Sequence, residues 1–335
     1  MTPLLEIRDL RVRFGTEAGA LTAVDGVSCT VPPRGTLGIV GESGSGKTVM
    51  SLAVMGLTRF TGAQVSGEVV FEGRNLLTLP DDELRRVRGS QIAMIFQDPL
   101  SSLHPLMRVG TQLVEAIRAH SRVTRRAARA RAVELLRMVE LPDPARRVRA
   151  YPHELSGGMR QRAMIAMALI NQPRVLIADE PTTALDVTVQ AGILDLLEEL
   201  REEHQMGVML ITHDMGVVAE TADDVIVMYA GQVVEQAKTL DLFDNPEHPY
   251  TEALLAALPQ IEGENVREGR LTSIPGRPPD LLYPPEACRF AARCPYAGSD
   301  DCTVAPPELR EIRTGHWVRS AHPASERAGT KVGVS

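Results

Sequence analysis

The chain has 335 residues, 44% of them hydrophobic, and a formal net charge of −7 at pH 7. This length suits one large domain and a smaller one, and the acidic balance argues against bulk attraction to nucleic acid or to an anionic membrane. The sequence has no apolar run near the roughly 18 to 20 residues that span a bilayer. Its charged start, Met1 to Phe14, does not resemble a signal peptide. We therefore expect a cytoplasmic protein.

Strand-like and helical segments alternate along most of the chain. Strand patterns lie within 4–40 and at 69–71, 91–96, 175–178, 208–211 and 225–228. Helical patterns occupy about 105–170 and 188–204. This alternation predicts a largely parallel sheet that is covered by helices. A proline-rich stretch, 274–279, then opens an irregular C-terminal region, and residues 323–335 resemble a disordered tail.

The segment from Gly41 to Thr48 has the pattern G-x-x-x-x-G-K-[ST], between an apolar strand and a helical segment. In such a loop, glycines let backbone N–H groups turn toward phosphate oxygens, and the following helix adds its positive end. Lys47 would contact the β- and γ-phosphates, and the Thr48 hydroxyl would reach Mg²⁺. Only three of the 36 basic residues are lysines, so a lysine at this position makes a chance match improbable. The pattern indicates a nucleotide-binding loop.

Two acidic residues, Asp179 and Glu180, follow the apolar strand 175–178. The carboxyl ends of buried parallel strands meet at the ligand-binding edge of a sheet. Asp179 could hold Mg²⁺ there, and Glu180 could act as the base for an attacking water. The alternative is that the two acids merely begin a loop.

Polar residues also follow two other predicted strands. His213 comes after strand 208–211 and could bond the γ-phosphate. Gln97 comes after strand 91–96, where its neutral amide could reach the metal or the water. Each signal is weak by itself.

A glycine pair in Leu155 to Gln161 opens a predicted helix, and a helix N-terminus of this kind binds anions. Because the chain already has a phosphate loop, this second anion site makes most sense if it serves a nucleotide bound to another subunit.

Taken together, these motifs resemble the nucleotide-binding subunit of ABC transporters. The matching segments are Gly41 to Thr48 (Walker A), Gln97 (Q-loop), Leu155 to Met159 (signature), Arg174 to Glu180 (Walker B), Ala184 to Asp186 (D-loop) and His213 (switch histidine). Phe14 stands where the family places an aromatic residue that stacks on adenine, although it could be an ordinary core phenylalanine.

The resemblance implies an α/β fold of the P-loop NTPase class with an ABC-type nucleotide-binding domain. Such a domain has a RecA-like core sheet, an antiparallel β subdomain and an inserted helical subdomain. We expect it at 1–258, with the helical subdomain at about 100–170. A C-terminal regulatory, cysteine-containing region would occupy 259–335, ending in disorder.

The resemblance also implies the residues that bind and hydrolyse ATP between two ATPase chains. The catalytic residues would be Glu180, His213 and Gln97. ATP would be bound by Phe14, Gly41, Ser43, Gly44, Ser45, Gly46, Lys47, Thr48, Asp179, Ser156, Gly157, Gly158 and Asp186. Mg²⁺ would be held by Thr48, Gln97 and Asp179.

Three further segments and the cysteine-bearing tail resemble the subfamily of dipeptide and oligopeptide importers. The segments are Phe96 to Leu103, Tyr151 to Glu154, and Asn245 to Thr251. This implies peripheral attachment at the cytoplasmic face of the inner membrane. It also implies a second, often paralogous, ATPase subunit, two membrane permeases and an extracytoplasmic solute-binding protein, with no nucleic acid. Related importers carry nickel or glutathione, so the solute stays open, and the alternative class is a non-transport ABC ATPase of DNA repair or translation.

The chain has four cysteines. Cys29 stands alone in an apolar stretch and is expected to be a core residue. The other three, Cys288, Cys294 and Cys302, lie within 15 residues in a proline-rich segment without a clear core, which suggests a metal site. The subfamily's tail is associated with a four-iron four-sulfur cluster on four cysteines, but Ser320 stands in place of the fourth. The fourth ligand could be Ser320, His316, His322 or a partner's residue, and zinc or no metal are alternatives.

Residues 118–131 carry six arginines, mostly at helical spacing: Arg118, Arg122, Arg125, Arg126, Arg129 and Arg131. No aromatic residue interleaves them. We therefore expect a solvated helix face rather than a strip that contacts phosphates.

Overall fold

The computed structural model describes residues 3–98, 102–183, 185–258, 274–298 and 301–327. These residues form two compact units. Unit 1 comprises the described residues within Met1–Leu5, Val31–Thr36 and Phe71–Ile211, and unit 2 those within Glu6–Thr30, Leu37–Val70 and Thr212–Ser335. Within the described ranges, no helix has the length and apolar character that crossing a membrane requires.

Strands dominate the first third of the chain, and helices and strands alternate after it. The strands are β1 (Leu5–Thr16), β2 (Gly19–Val31), β3 (Thr36–Val40), β4 (Gln64–Phe71), β5 (Arg74–Asn75), β6 (Ile92–Ile95), β7 (Val175–Asp179), β8 (Gly207–Ile211), β9 (Asp224–Tyr229), β10 (Gln232–Lys238), β11 (Arg310–Arg313) and β12 (His316–Val318). The α-helices are α1 (Lys47–Val54), α2 (Asp81–Val87), α3 (Val109–His120), α4 (Arg125–Met138), α5 (Pro144–Arg147), α6 (Gly157–Ala168), α7 (Val187–His204), α8 (Met215–Thr221), α9 (Thr239–Asp244), α10 (Pro249–Ala256) and α11 (Asp301–Val304).

In unit 1, β6, β7 and β8 pair side by side in parallel. Every residue of the three strands is buried, as expected for strands that are covered on both faces. Ala178 pairs with Ile95 on one side, and Asp179 pairs with Ile211 on the other. The carboxyl ends of the three strands therefore lie side by side, and the parallel strands predicted in this part of the chain are confirmed.

Helices α3 to α6 occupy the region that the sequence predicted to be helical. The Thr124 hydroxyl caps α4 by accepting a hydrogen bond from the Ala127 N–H at 3.2 Å. The helix buries Ala128, Ala132, Leu135 and Leu136, while all six arginines of 118–131 are exposed. This exposure agrees with a solvated face, and the choice between such a face and a strip that contacts phosphates stays a prediction.

In unit 2, β3 pairs in parallel with β9, and β10 pairs antiparallel with β9. Strands β2, β1 and β4 lie side by side, in that order, in a second sheet. Because only two residues join β1 to β2, these strands run antiparallel. β1 is a single strand of 12 residues.

The C-terminal region is not wholly irregular, which corrects the sequence prediction. Strand β12 pairs antiparallel with β10, and β11 pairs with β12. The cysteine segment also has a core, since the Phe290 ring packs 5.2 Å from that of Tyr229 and 5.5 Å from that of Tyr250, between centroids. The β10–β12 pairing and the Phe290 contacts join residues far apart in sequence, so no local sequence pattern predicts them.

The end of the described chain is ordered where the sequence predicted disorder. The Ser325 N–H donates to Glu247 Oε2 at 2.7 Å, and Arg327 forms an ion pair with Glu252 at 2.8 Å. Residues 328–335 of the predicted tail lie outside the described residues. So do residues 259–273, and the domain boundary after residue 258 stays a prediction.

Candidate functional site

The predicted phosphate loop lies between β3 and α1 in unit 2. Its backbone is tied to a neighbouring turn, where the Gly231 N–H donates to the Ser45 carbonyl at 2.9 Å. Gly41 and Gly46 have φ angles of 152° and 101°. A Cβ atom at Gly41 would lie 2.1 Å from the Met228 carbonyl oxygen, and one at Gly46 would lie 2.3 Å from that of Ala23. Space as well as backbone conformation therefore requires glycine at both positions.

Lys47 begins α1 and is only 5% exposed. Its ammonium donates to the Gly41 carbonyl at 2.6 Å and to the Glu42 carbonyl at 3.0 Å. The charge is thus held inside the curve of the loop, where a compact ammonium can serve a phosphate group. Thr48, the next residue, is exposed at the helix start. Ser43 and Gly44 are also exposed, and Ser45 is buried.

The acidic residues lie in unit 1, at the carboxyl end of β7. Asp179 is 1% exposed. Glu180 has a φ of 48°, and its N–H donates to the Ile211 carbonyl at 2.8 Å. A left-handed backbone at a residue other than glycine costs on the order of 1–3 kcal/mol, and such strain is concentrated at functional sites.

The Glu180 carboxylate is oriented by two donors from other residues. Its Oε2 atom accepts hydrogen bonds from Gln97 Nε2 at 2.9 Å and from Thr183 Oγ1 at 2.8 Å. The structure therefore brings together Gln97 and Glu180, which are 83 residues apart. Thr183 was missed by the sequence analysis. It lies three residues after Glu180 in a T-T pair that has no distinctive pattern of its own.

The predicted second anion site also lies in unit 1. The Ser156 hydroxyl caps α6 by accepting from the Met159 N–H at 3.3 Å. Asp186 caps α7 in the same way, with the Val189 N–H as donor at 2.9 Å. A Cβ atom at Gly158 would lie 2.7 Å from Val189 Cγ1, so the starts of the two helices pack closely. Gly157 is exposed, and Ala184 lies outside the described residues.

Two further predicted residues, besides those of the phosphate loop, belong to unit 2. His213 is exposed and directly follows Thr212, whose N–H donates to the Ile39 carbonyl at 3.1 Å. Phe14 lies near the end of β1 and is half-buried, so it is not one of the buried core residues.

The residues predicted to hold Mg²⁺ have suitable side chains. Thr48, Asp179 and Gln97 all carry side-chain oxygens, the ligand type that Mg²⁺ prefers, and in this respect they fit the ion.

The predicted metal site at the cysteines is not recognisable among the described residues. They contain no group of three histidine, cysteine or acidic side chains placed to hold a metal ion. Burial raises the pKa of the Cys294 thiol to about 11 and also raises that of Cys288. Two of the side chains proposed as a fourth ligand have other partners: His316 Nε2 bonds Glu235 Oε1 at 2.7 Å, and the Ser320 hydroxyl accepts from the His322 backbone N–H at 3.0 Å.

Cys29 is a buried core residue, as predicted. Burial raises the pKa of its thiol to about 12, so the thiol is uncharged at neutral pH.

Comparison with known proteins found matches to two families and to full-length relatives. The ABC transporter family matches residues 24–183, and the C-terminal region of oligopeptide/dipeptide transporters matches residues 234–302. The chain is 52% identical to the probable peptide ABC transporter ATP-binding protein y4tR of Sinorhizobium fredii, over 93% of each protein. It is 49% identical to the oligopeptide transport ATP-binding protein OppD of Bacillus subtilis, over 96% of this chain and 90% of that protein.

A solved structure is also similar. It is the dimeric post-hydrolysis state of the ATP-binding cassette MJ0796 bound to ADP and Pi. The TM-score is 0.63 at 30% identity, over 70% of this chain and 98% of that one.

Proposed function

Because this chain belongs to the ABC transporter ATPases, we propose that it powers an importer that takes up dipeptides and oligopeptides across the cytoplasmic membrane. The predicted ABC-type fold and ATPase class are confirmed by the similarities. One observation supports the peptide cargo: identity of about half extends over nearly the whole of peptide-transport subunits. The similarity includes the C-terminal region found in oligopeptide and dipeptide transporters, which matches residues 234–302.

In the proposed ATP site, the phosphate loop binds the β- and γ-phosphates. Lys47 supplies the positive charge, and the loop's backbone N–H groups donate to the phosphate oxygens. Ser43, Gly44 and Ser45 form the middle of the loop, and Phe14 stacks on adenine. Bound Mg²⁺ would neutralise charge on the phosphates, with Thr48, Gln97 and Asp179 as its proposed ligands.

Hydrolysis requires a base, and Glu180 is the proposed one. Its carboxylate takes a proton from water, the water oxygen bonds to the γ-phosphorus, and the bond from that phosphorus to the bridging oxygen of ADP breaks. Gln97 and Thr183 hold the carboxylate through the hydrogen bonds described above. His213 would secure the γ-phosphate.

The start of α6 would serve a nucleotide on a second ATPase subunit. Ser156, Gly157 and Gly158 are exposed or half-buried at that helix N-terminus, which favours an anion, and Asp186 caps the neighbouring helix. ATP that contacts both chains would favour the closed pair, and hydrolysis would let it open.

The remaining partners follow from the proposed transport role. They are a second, paralogous ATPase subunit, two permeases and an extracytoplasmic solute-binding protein. No nucleic acid is involved. The chain would work as a peripheral subunit at the cytoplasmic face of the inner membrane.

Peptide uptake tests the cargo directly. In cells that carry this chain and its neighbouring permeases, labelled di- and oligopeptides are expected to enter, and the variant Glu180→Gln should abolish uptake because closure without hydrolysis cannot cycle. Equal peptide uptake in both strains would contradict the peptide cargo. Nickel and glutathione uptake would then be compared in the same strains, and salt-dependent binding of nucleic acid would instead favour a role in DNA repair or translation.

No step of this function depends on a metal at the cysteines. The four-iron four-sulfur cluster stays a prediction of the family resemblance, and metal analysis of anaerobically purified chain tests it. Iron with equimolar sulfide that is lost in Cys294→Ser but kept in Cys29→Ser would support the cluster. Zinc without iron would support a zinc site. If neither metal is found, the hypothesis of a metal site at the cysteines is wrong.

A further inference from the structure

One arginine of the C-terminal region contacts the phosphate loop directly. Arg293 forms a two-pronged ion pair with Glu42, the second residue of the loop: Nη1 lies 2.7 Å from Oε2, and Nη2 lies 2.9 Å from Oε1. The Arg293 side chain is only 4% exposed. Paired bonds of this geometry between guanidinium and carboxylate are among the stronger and more directional hydrogen bonds in proteins.

Arg293 is itself held in position by its surroundings. Its Nε donates to the Pro275 carbonyl at 2.9 Å, and its Nη1 also donates to the Tyr229 hydroxyl at 3.3 Å. The guanidinium lies over the Tyr229 ring, 5.7 Å from the centroid, a favourable cation–π arrangement. The two Nη donors of the guanidinium are therefore held in a fixed orientation toward the Glu42 carboxylate.

Glu42 links Arg293 to Lys47, the lysine that would bind phosphate. The Glu42 N–H donates to the Tyr250 hydroxyl at 2.9 Å. Its carbonyl accepts from Lys47 Nζ at 3.0 Å and from the Ser45 N–H at 3.2 Å. The same residue therefore contacts Arg293 with its side chain and Lys47 with its backbone.

Two physical effects make the Arg293–Glu42 pair important for ATP binding. A glycine-rich loop has many accessible conformations, and a ligand binds more weakly when it must order them itself. In addition, a carboxylate in the loop repels phosphate unless a cation neutralises it. Arg293 opposes both effects.

We propose that Arg293 is a positioning residue for ATP, acting through Glu42: it orders the phosphate loop and neutralises the carboxylate that the loop carries. The C-terminal region thereby takes part in nucleotide binding. This inference rests on the proposed role of the loop at 41–48 as the ATP site.

ATP affinity of the full-length chain tests this role, with a fluorescent ATP analogue displaced by ATP. Arg293→Met keeps the aliphatic stem and removes the donors, and it should raise the Kd for ATP about tenfold. Adding Glu42→Gln should bring the Kd back toward wild type, because the unpaired carboxylate is gone. Arg293→Lys keeps the charge and should raise the Kd only two- to threefold. In the assembled transporter, Arg293→Met should raise the KM for ATP while kcat stays within about twofold.

A neighbouring arginine offers a matched control. Arg289 pairs with Asp25 at 2.5 Å and is also largely buried. Its guanidinium donates to the Asp25 carboxylate and to the Ala230 carbonyl, and both acceptors lie outside the loop at 41–48. The Ala230 carbonyl shares a peptide bond with the Gly231 N–H, which donates to the Ser45 carbonyl. Arg289→Met should therefore lower thermal stability and raise the Kd for ATP less than twofold.

Three results would overturn the inference. They are an unchanged Kd in Arg293→Met, no recovery when Glu42→Gln is added, and an equal rise in Arg289→Met. If the wild-type chain itself fails to bind ATP, the proposed nucleotide site fails instead, so the two failures are distinguishable.

Discussion

The variant Glu180→Gln should bind ATP as wild type does and hydrolyse it about 100- to 10,000-fold more slowly. General-base catalysis contributes a factor of this size, and an amide cannot take the proton from water. The substitution should be well tolerated structurally. The new side chain keeps one amide oxygen, which can still accept from Gln97 and Thr183 in place of the carboxylate oxygen. Phosphate release at saturating ATP, measured beside nucleotide binding, checks both parts.

A matched control separates this role from a general loss of acidic charge. Glu199 is exposed on α7, and Glu199→Gln should leave hydrolysis within about twofold of wild type. A Glu180→Gln variant that hydrolyses ATP near the wild-type rate would show that Glu180 is not the base.

Removing the ammonium of the phosphate loop should have the second large effect, this time on binding. Lys47→Ala should weaken ATP binding about 100-fold, or ~2.7 kcal/mol at about 1.4 kcal/mol per factor of ten. The variant loses the charge that would face the phosphates. It also loses the bonds from the ammonium to the Gly41 and Glu42 carbonyls, which hold the loop curved. The Kd for ATP of the purified chain measures the change.

The chain provides a lysine control for this experiment. Lys238 is exposed and pairs with Asp224 at 2.8 Å, so Lys238→Ala removes a lysine without touching the phosphate loop. Its Kd for ATP should equal that of wild type. An equal loss in both variants would mean that net charge, and not the position of Lys47, governs binding.

The proposed role of the Arg293–Glu42 ion pair makes ATP binding depend also on Arg293, a residue outside the nucleotide-binding motifs. Arg293 lies within the C-terminal match to oligopeptide/dipeptide transporters. The region that matches oligopeptide/dipeptide transporters therefore contacts a loop that lies within the match to the ABC transporter family. A smaller change in affinity is expected there than at Lys47, because Arg293 acts on the shape and charge of the loop and does not contact phosphate itself.

The buried strands were predictable from the sequence to within about two residues. Strands β3, β7, β8 and β9 lie inside a sheet and are almost wholly apolar, so their composition is enough to locate them. The edge strand β11 and its neighbour β12 were missed. They are four and three residues long and partly exposed. β12 joins the sheet by pairing with β10, which is distant from it in sequence.

In the candidate site, too, some residues could be predicted from the sequence and others could not. The loop at 41–48, the carboxylates after β7 and the serine that caps α6 could be recognised because their chemistry needs particular residues at short spacing. Thr183 and Arg293 had no such signal. Arg293 is one of many arginines in the chain, and 251 residues separate it from Glu42.

The sequence by itself therefore determined the class of this protein, its phosphate loop and the residues proposed as base and metal ligands. Only the tertiary structure decided which side chains orient them. Gln97 and Thr183 lie on the Glu180 carboxylate, and Arg293 lies on Glu42. The physical reason is one of range. A phosphate-binding loop is formed by adjacent backbone groups, so consecutive residues of the sequence reveal it. An orienting ion pair requires only that the folded chain bring two charges within about 3 Å.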